Sequence, residues 1–305
     1  MSDIREIRSH IKSIRDTEKI TNAMYMIAST KMNKAKLELN RTRPYFEFIQ
    51  SEIKRVFKVN KEISSRYYYP LDSDTAITGE NAYLIVTADR GLAGSYNSEV
   101  IRKAEEMIAE HGEGRRFVIG EFGRKYYTTK NIPFEKDFHY TAQNPTLSRA
   151  RDITSILLEK YQNEEIGKIY IIYTDMKKNE EHEARVFRLL PFHRADLDTT
   201  NSSAPSTPFH FFPSIKDVLY NMVSSYMSGF IYSALIVSYC CELSSRMNAM
   251  DLASQNAEEI LSGLIRAYNH ARQNKVTQEI TEITSGARAL KKKKEKALKQ
   301  NGGLQ

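Results

Sequence analysis

The residues whose types and spacing best fit chemistry are the six from Asp89 to Gly94, DRGLAG, between an apolar run and a helical pattern. Such a turn can aim backbone N–H groups at an anion beside a helix N-terminus, as phosphate-binding turns do. Its G-x-x-G spacing lacks the third glycine of a dinucleotide fingerprint and the Gly-Lys-Ser/Thr of a P-loop. We therefore favour a tight strand-to-helix turn, with Asp89 bonding nearby backbone and Arg90 pairing outward.

The other reactive side chains form no recognisable site. The seven histidines are scattered without metal-ligand spacing, and no H-E-x-x-H motif or Ser/His/Asp set can be nominated. The two cysteines, Cys240 and Cys241, are neighbours, which excludes a disulfide framework and a four-thiolate zinc site. We expect both thiols to be small buried apolar groups. The sequence gives no signal for catalysis, a metal or a cofactor.

The middle of the chain has the pattern of an α/β domain. Strands are predicted at 82–87, 116–120, 168–174 and 184–190, and helices at 97–110 and 146–161, the second capped by Thr146 or Asn144. Strands that alternate with helices predict a mainly parallel sheet. Breaks at 69–79 and 199–208 flank the domain, and the second break is typical of a flexible surface loop.

Both ends of the chain are predicted to be long helices. In residues 3–58, apolar side chains recur at helical spacing, and Pro44 is the one expected bend. In residues 214–298, a heptad seam runs from Met250 to Ala271, slips by one residue, and resumes from Val276 to Leu290. Neither helix can bury its stripe alone. We therefore expect an antiparallel pair with the α/β domain inserted between its halves.

One segment of the second helix has to be weighed as a membrane span. Residues 218–241 carry no charge, and that length can cross a bilayer. Serine and tyrosine recur through the segment and dilute its hydropathy. We favour a helix buried within protein.

Charge is concentrated at the two ends of the chain. Residues 1–60 hold 13 Lys and Arg against 7 Asp and Glu, residues 288–305 hold 7 against 1, and the net charge between them is −5. The run Lys291 to Lys294 could bind nucleic acid or anionic lipid, or could be a solvated helix end. No aromatic residues are interleaved with it, which weakens the nucleic-acid interpretation.

Both ends also resemble a known family, the gamma subunit of F-type ATP synthases. The stretch 17–32, TEKITNAMYMIASTKM, is similar to that family's first helix, and 245–257, SRMNAMDLASQNA, to its ARM-x-AM stretch. The stretches 268–273, YNHARQ, and 276–287, VTQEITEITSGA, resemble its YN-x-x-RQ and IT-x-EL-x-EI-x-SGA signature. The turn DRGLAG resembles its DRGLCG.

The resemblance implies an α/β fold with a long antiparallel coiled coil of N- and C-terminal helices and an inserted Rossmann-like α/β domain. The expected divisions are 1–60 for the first shaft helix, 61–212 for the inserted domain, 213–298 for the second shaft helix and 299–305 for a tail. The implied function is a non-catalytic rotor shaft that turns inside a hexamer of alpha and beta subunits and couples ion flow to ATP synthesis or hydrolysis on beta.

The same resemblance implies partners, a location and contact residues. The partners are alpha, beta, epsilon and the c-ring of the membrane sector, without nucleic acid, a cofactor or a membrane span in this chain. The implied location is peripheral, on the cytoplasmic face of the bacterial plasma membrane. The residues matching family positions for coupling and assembly contacts are Met24, Arg246, Gln273, Thr277, Glu279 and Glu282.

Some positions depart from the family pattern. Asn22 stands where lysine is usual and Ala93 where DRGLCG has cysteine, and the chain continues about 15 residues past Leu290. Three other interpretations stay open at this point: a coiled-coil scaffold without ATPase partners, a nucleic-acid-binding rod, and a paralogue that serves a second synthase.

Overall fold

The computed structural model describes residues 2–59, 66–67, 77–176, 182–192, 212 and 214–301 of the 305-residue chain. The predicted surface loop at 199–208 lies outside the described residues, as does most of the break at 69–79. The chain divides into two compact units. The first comprises Met1–Met24 with Met250–Gln305, and the second is Tyr25–Ala249. The domain divisions expected from the sequence remain predictions.

Five helices and four strands follow one another along the described chain. The helices are α1 (Ser2–Val59), α2 (Tyr96–His111), α3 (Glu121–Thr129), α4 (Leu147–Gln162) and α5 (Ile215–Asn301). The strands are β1 (Glu80–Val86), β2 (Gly114–Ile119), β3 (Ile166–Met176) and β4 (His182–Leu190). Helix α1 continues through Pro44. The Thr146 hydroxyl caps α4 by accepting a hydrogen bond from the Arg149 amide at 3.3 Å, one of the two caps expected.

The sheet has the strand order β2-β1-β3-β4. Strand β1 pairs parallel with β2 and with β3, as the alternation of strands and helices predicts. Strand β4 pairs antiparallel with β3. The reason is the short interval between Met176 and His182, because a parallel pair needs a crossover of about a dozen residues.

Alternate residues of the central strands face two separate cores. Leu84 and Ile171 lie in the core that contains α4 and the apolar part of α5, together with Ala28 and Ala35 of α1. Tyr83 and Ile85 face the other core, formed with α2 and with Tyr127 of α3. The period-2 alternation of a strand produces this division. Helices therefore cover both faces of the sheet, and the predicted Rossmann-like architecture is confirmed.

The uncharged run 218–241 lies within α5. This helix is long and apolar enough to cross a membrane by length and composition, and 78% of its most apolar 18-residue window is buried inside the protein. Ser238 accepts a hydrogen bond from the Thr174 amide of β3 at 3.2 Å. The segment is thus a core helix of the second unit, in agreement with the interpretation favoured from the sequence.

Candidate functional site

In the first unit, α1 and α5 run antiparallel. The Thr21 hydroxyl shares a buried hydrogen bond of 2.6 Å with the Ser254 hydroxyl. Farther along, Ile4 and Ile7 line a groove with His270 and Ala271. The pairing of Thr21 with Ser254 fixes one register, in which the start of α1 lies beside Gln273. The predicted antiparallel pair is therefore present, and the pairing ends near Gln273.

Beyond that end, α5 is exposed on every side. Residues 272–293 are all exposed. At the near end of this stretch, Ile4 and Ile7 of α1 still line a groove with Gln278, Glu279 and Glu282. The seam predicted to resume from Val276 to Leu290 is consequently not buried within the part of the chain that the structure describes. Ile283 is 73% exposed and Leu290 69%. These apolar side chains form a continuous stripe by helical spacing, and Val276 and Ile280 belong to it.

Four of the six predicted contact residues border this stripe. At 100° per residue, Gln273 and Thr277 lie on one side of it, and Glu279 and Glu282 lie on the other. Lys275 approaches Glu279 at 3.8 Å, and the Gln278 amide donates to Glu282 at 3.0 Å. An exposed apolar patch with a polar rim is typical of a protein–protein contact. We call the following residues the tip surface: Gln273, Val276, Thr277, Glu279, Ile280, Glu282, Ile283 and Leu290.

Met24, the fifth predicted contact residue, is half-buried in α1, at the boundary of the first unit. Nearby apolar side chains of the same helix are more exposed to solvent: Ile20 is 60% exposed and Met26 is 67% exposed. Helix α1 therefore also presents apolar side chains outward.

Arg246, the sixth predicted contact residue, is directed inward in the second unit. Its side chain is 11% exposed and pairs with the 3% exposed side chain of Glu242, one turn earlier on α5, at 2.5 Å between Nη1 and Oε1. Its other terminal nitrogen, Nη2, donates to the carbonyl oxygens of Arg90 and Gly91 at 3.3 and 3.2 Å. Arg246 therefore joins α5 to the DRGLAG turn.

Asp89, the first residue of the turn, connects it to two distant segments of backbone. Its carboxylate accepts hydrogen bonds from the amides of Glu121, at the start of α3, and of Ala142 and Gln143, at 3.1–3.3 Å, and from the Thr141 hydroxyl. The chain's own carboxylate thus satisfies these N–H groups. The interpretation favoured from the sequence is met in part: Asp89 does bond backbone, but in segments 32–54 residues away along the chain and not in the turn itself.

Buried groups around the turn have shifted pKa values. Burial raises the pKa of the Glu242 carboxyl, and the Arg246 guanidinium opposes that shift. Burial raises the pKa of the Cys240 thiol to about 11 and that of Cys241 to about 12. Within the part of the chain that the structure describes, no group of three or more His, Cys, Asp or Glu side chains could hold a metal ion.

Sequence reasoning missed Glu242 and Asn97. The Asn97 side chain accepts from the Ala88 amide at 2.8 Å and donates at 3.5 Å to the Arg90 carbonyl, which also accepts from Arg246. A signal existed for Glu242, because Glu followed by Arg at i+4 on a helix is a favourable pair. No comparable signal exists for Asn97.

Comparisons with known proteins agree along the chain. The family model described as ATP synthase matches residues 3–290. An ATP synthase gamma chain of Acetivibrio thermocellus is 36% identical over 297 residues, covering 95% of this chain and 100% of that protein. Another, from Caldanaerobacter subterraneus subsp. tengcongensis, is 38% identical over 295 residues, covering 93% of this chain and 98% of that protein.

A solved structure has the same fold. A chain in the OSCP, F1 and c-ring structure of the Euglena gracilis mitochondrial ATP synthase aligns with a TM-score of 0.60 at 15% identity, covering 95% of both chains. The paired end helices, the sheet domain between them and the near-complete match to the two bacterial relatives lead to one assignment: this chain belongs to the ATP synthase gamma chain family.

Proposed function

We propose that this chain is the central rotor shaft of an F-type ATP synthase. In this role it turns inside a hexamer of alpha and beta subunits and couples ion flow through a membrane ring to ATP synthesis or hydrolysis. Catalysis takes place on beta. The chain supplies contacts that favour different beta conformations at different rotational positions.

The tip surface is the observation that carries this proposal. Its stripe has four large apolar side chains, Val276, Ile280, Ile283 and Leu290, each 48% or more exposed. A stripe on a bare helix has no deep pocket, so it suits a contact that forms and breaks repeatedly. Glu279 and Glu282 on one border and Gln273 and Thr277 on the other make the helix surface asymmetric, as a rotating cam requires.

The remaining partners and the location follow from family membership and from charge. We propose that the sheet domain stands on the c-ring beside epsilon, and that the complex lies on the cytoplasmic face of the bacterial plasma membrane as a peripheral assembly. The basic segments 1–60 and 288–305 belong to α1, α5 and their ends, and they suit the acidic loops expected on beta.

Affinity purification of the tagged chain from membranes tests this function. We expect it to elute with alpha, beta and epsilon in one large ATPase. A scaffold or nucleic-acid binder would elute without ATPase, and the binder's affinity would fall steeply with salt. A paralogue of a second synthase would bring a different set of alpha and beta chains.

A further inference from the structure

Glu242 and Arg246 form a charged pair that is largely buried. Both lie on α5 where it crosses the second unit, and Glu242 is 2% exposed. A buried ion pair contributes little net stability compared with well-packed apolar side chains. The pair therefore calls for an explanation other than stability.

The guanidinium of Arg246 forms bonds with two different parts of the structure. Nη1 is held by Glu242 on its own helix, and Nη2 reaches the carbonyl oxygens of Arg90 and Gly91 in the turn after β1. A planar guanidinium can serve both at once, whereas a lysine ammonium is a single point of charge. Glu242 thus fixes the direction in which Arg246 faces the turn.

The turn that follows β1 is itself held by other parts of the second unit. Asn97 holds Ala88 and Arg90, and Asp89 holds the backbone at 142–143. Leu92 has a φ of +62°, a strained conformation for a side chain of its type, which persists only where the surroundings impose it. Movement of Arg246 would therefore displace a turn that follows β1 and is held by α2 and the 142–143 segment, and not a loose loop.

Most of the contact between α5 and the sheet is apolar. Leu235, Tyr239 and Leu243 lie in the same core as β1 and β3. The hydrophobic effect is itself non-directional, so it does not single out one orientation of the helix by a specific bond. The hydrogen bonds of Arg246 are directional, and so are those between Ser238 and Thr174 at 3.2 and 3.4 Å.

We propose that Glu242 is a positioning residue for coupling: it holds Arg246 so that the guanidinium fastens α5 to the Arg90–Gly91 turn, and this joint carries torque between the helix and the sheet domain. The inference rests on the proposed rotor function. It gives Arg246 an internal role in place of the external contact expected from the family resemblance.

The test uses the complete synthase reconstituted in vesicles, with ATP hydrolysis and ATP-driven ion pumping measured together. In Glu242→Gln and Arg246→Lys complexes, we expect hydrolysis within twofold of the unmodified complex and at least a threefold loss of ions pumped per ATP. Arg185→Gln is the matched control. It removes an exposed ion pair with Asp175, 2.9 Å apart, that links only β4 to β3, and we expect its pumping ratio to be unchanged.

Hydrogen exchange of the backbone amides at 90–94 in the same complexes provides the second readout. We expect about tenfold faster exchange in Glu242→Gln and Arg246→Lys, and no change in Arg185→Gln. Faster exchange with normal pumping would overturn the torque role. Lost pumping with unchanged exchange would also overturn the joint, since Arg246 would then act through an external contact.

A failure of the proposed rotor function can be distinguished from a failure of the proposed role of Glu242. If the unmodified chain does not assemble into an ATPase, the rotor function fails before any variant is compared. If Arg246→Lys prevents assembly, Glu242→Gln, which keeps the Arg246 side chain itself, still decides the role of the pair.

Discussion

The Thr21 and Ser254 hydroxyls, 233 residues apart in the chain, share a 2.6 Å hydrogen bond between α1 and α5. This bond defines the antiparallel register of the first unit. Thr21 also donates to the Glu18 carbonyl at 2.9 Å. Since the Thr21 proton goes to the Glu18 carbonyl, Ser254 donates the shared bond. Loss of Thr21 leaves the buried Ser254 hydroxyl without this acceptor, and loss of Ser254 removes the bond to Thr21, whereas loss of both exchanges a polar contact for an apolar one.

We therefore expect Thr21→Val and Ser254→Ala each to lower the free energy of unfolding by about 1 kcal/mol. The double variant should lose clearly less than the sum of the two. Urea unfolding followed by far-UV circular dichroism measures this cycle. Strict additivity would mean that the two hydroxyls do not interact in solution.

Gly120, between β2 and α3, has a φ of +94°, and a Cβ there would overlap the Thr87 carbonyl oxygen. Gly120→Ala should therefore cost more than about 2 kcal/mol of stability, since strain and overlap add. Gly286→Ala is the matched control, because nothing lies within 4 Å of the added methyl group inside exposed α5. It should stabilise the chain by up to about 1 kcal/mol in the same unfolding assay. Equal effects of the two changes would contradict this local structure.

The Cys240 and Cys241 thiols should be unreactive in the folded protein. Both are buried and their pKa values are raised to about 11 and about 12, so almost no thiolate exists at pH 8. A thiol-disulfide exchange reagent should label neither cysteine at pH 8 and both after unfolding in urea. Labelling should stay slow until the pH approaches 11. A cysteine introduced as Lys130→Cys, at the exposed end of α3, should react at once.

The tip surface should be needed for function and not for folding. Ile283→Asp places a charge in the apolar stripe, at a side chain 73% exposed, so stability should change by less than about 0.5 kcal/mol while coupled pumping falls. Ser285→Asp puts the same charge on the opposite side of the helix. Reconstituted complexes with Ser285→Asp should pump normally. Equal losses in both variants would indicate general disruption of the shaft.

Met24→Lys should leave ATP hydrolysis largely intact and reduce ions pumped per ATP, because a new cation on α1 would bind the acidic loops expected on beta. Met26→Lys, at a more exposed position on the same helix, is the control and should pump normally. Unchanged pumping in Met24→Lys vesicles would remove Met24 from the contact residues.

Periodicity and short-range pattern predict much of this fold. The apolar run before Asp89 and the spacing of Ile4, Ile7 and Ile11 correspond to β1 and to the paired face of α1. The antiparallel pairing of β4 with β3 could also be predicted from the sequence, since the interval between Met176 and His182 is too short for a crossover helix.

Other features depend on contacts between distant parts of the chain. Helix α3 has a β-rich sequence, EFGRKYYTT, and its start is held by Thr87, whose side chain accepts from the Gly123 amide at 3.1 Å. Arg246 matches a family contact position, yet only the fold shows that Glu242 and the DRGLAG turn hold it inward. The position at which the pairing of α1 and α5 ends could be located only from the register that Thr21 and Ser254 fix.

Direct observation of rotation tests the central claim most sharply. A bead is attached through Lys130→Cys, the reactive thiol, to this chain within a complex whose alpha and beta hexamer is fixed to a surface. On addition of ATP, the account predicts continuous rotation in one direction, in regular steps, that stops when ATP is removed. Steady ATP hydrolysis with a bead that does not turn would contradict the assignment of this chain as the rotor shaft.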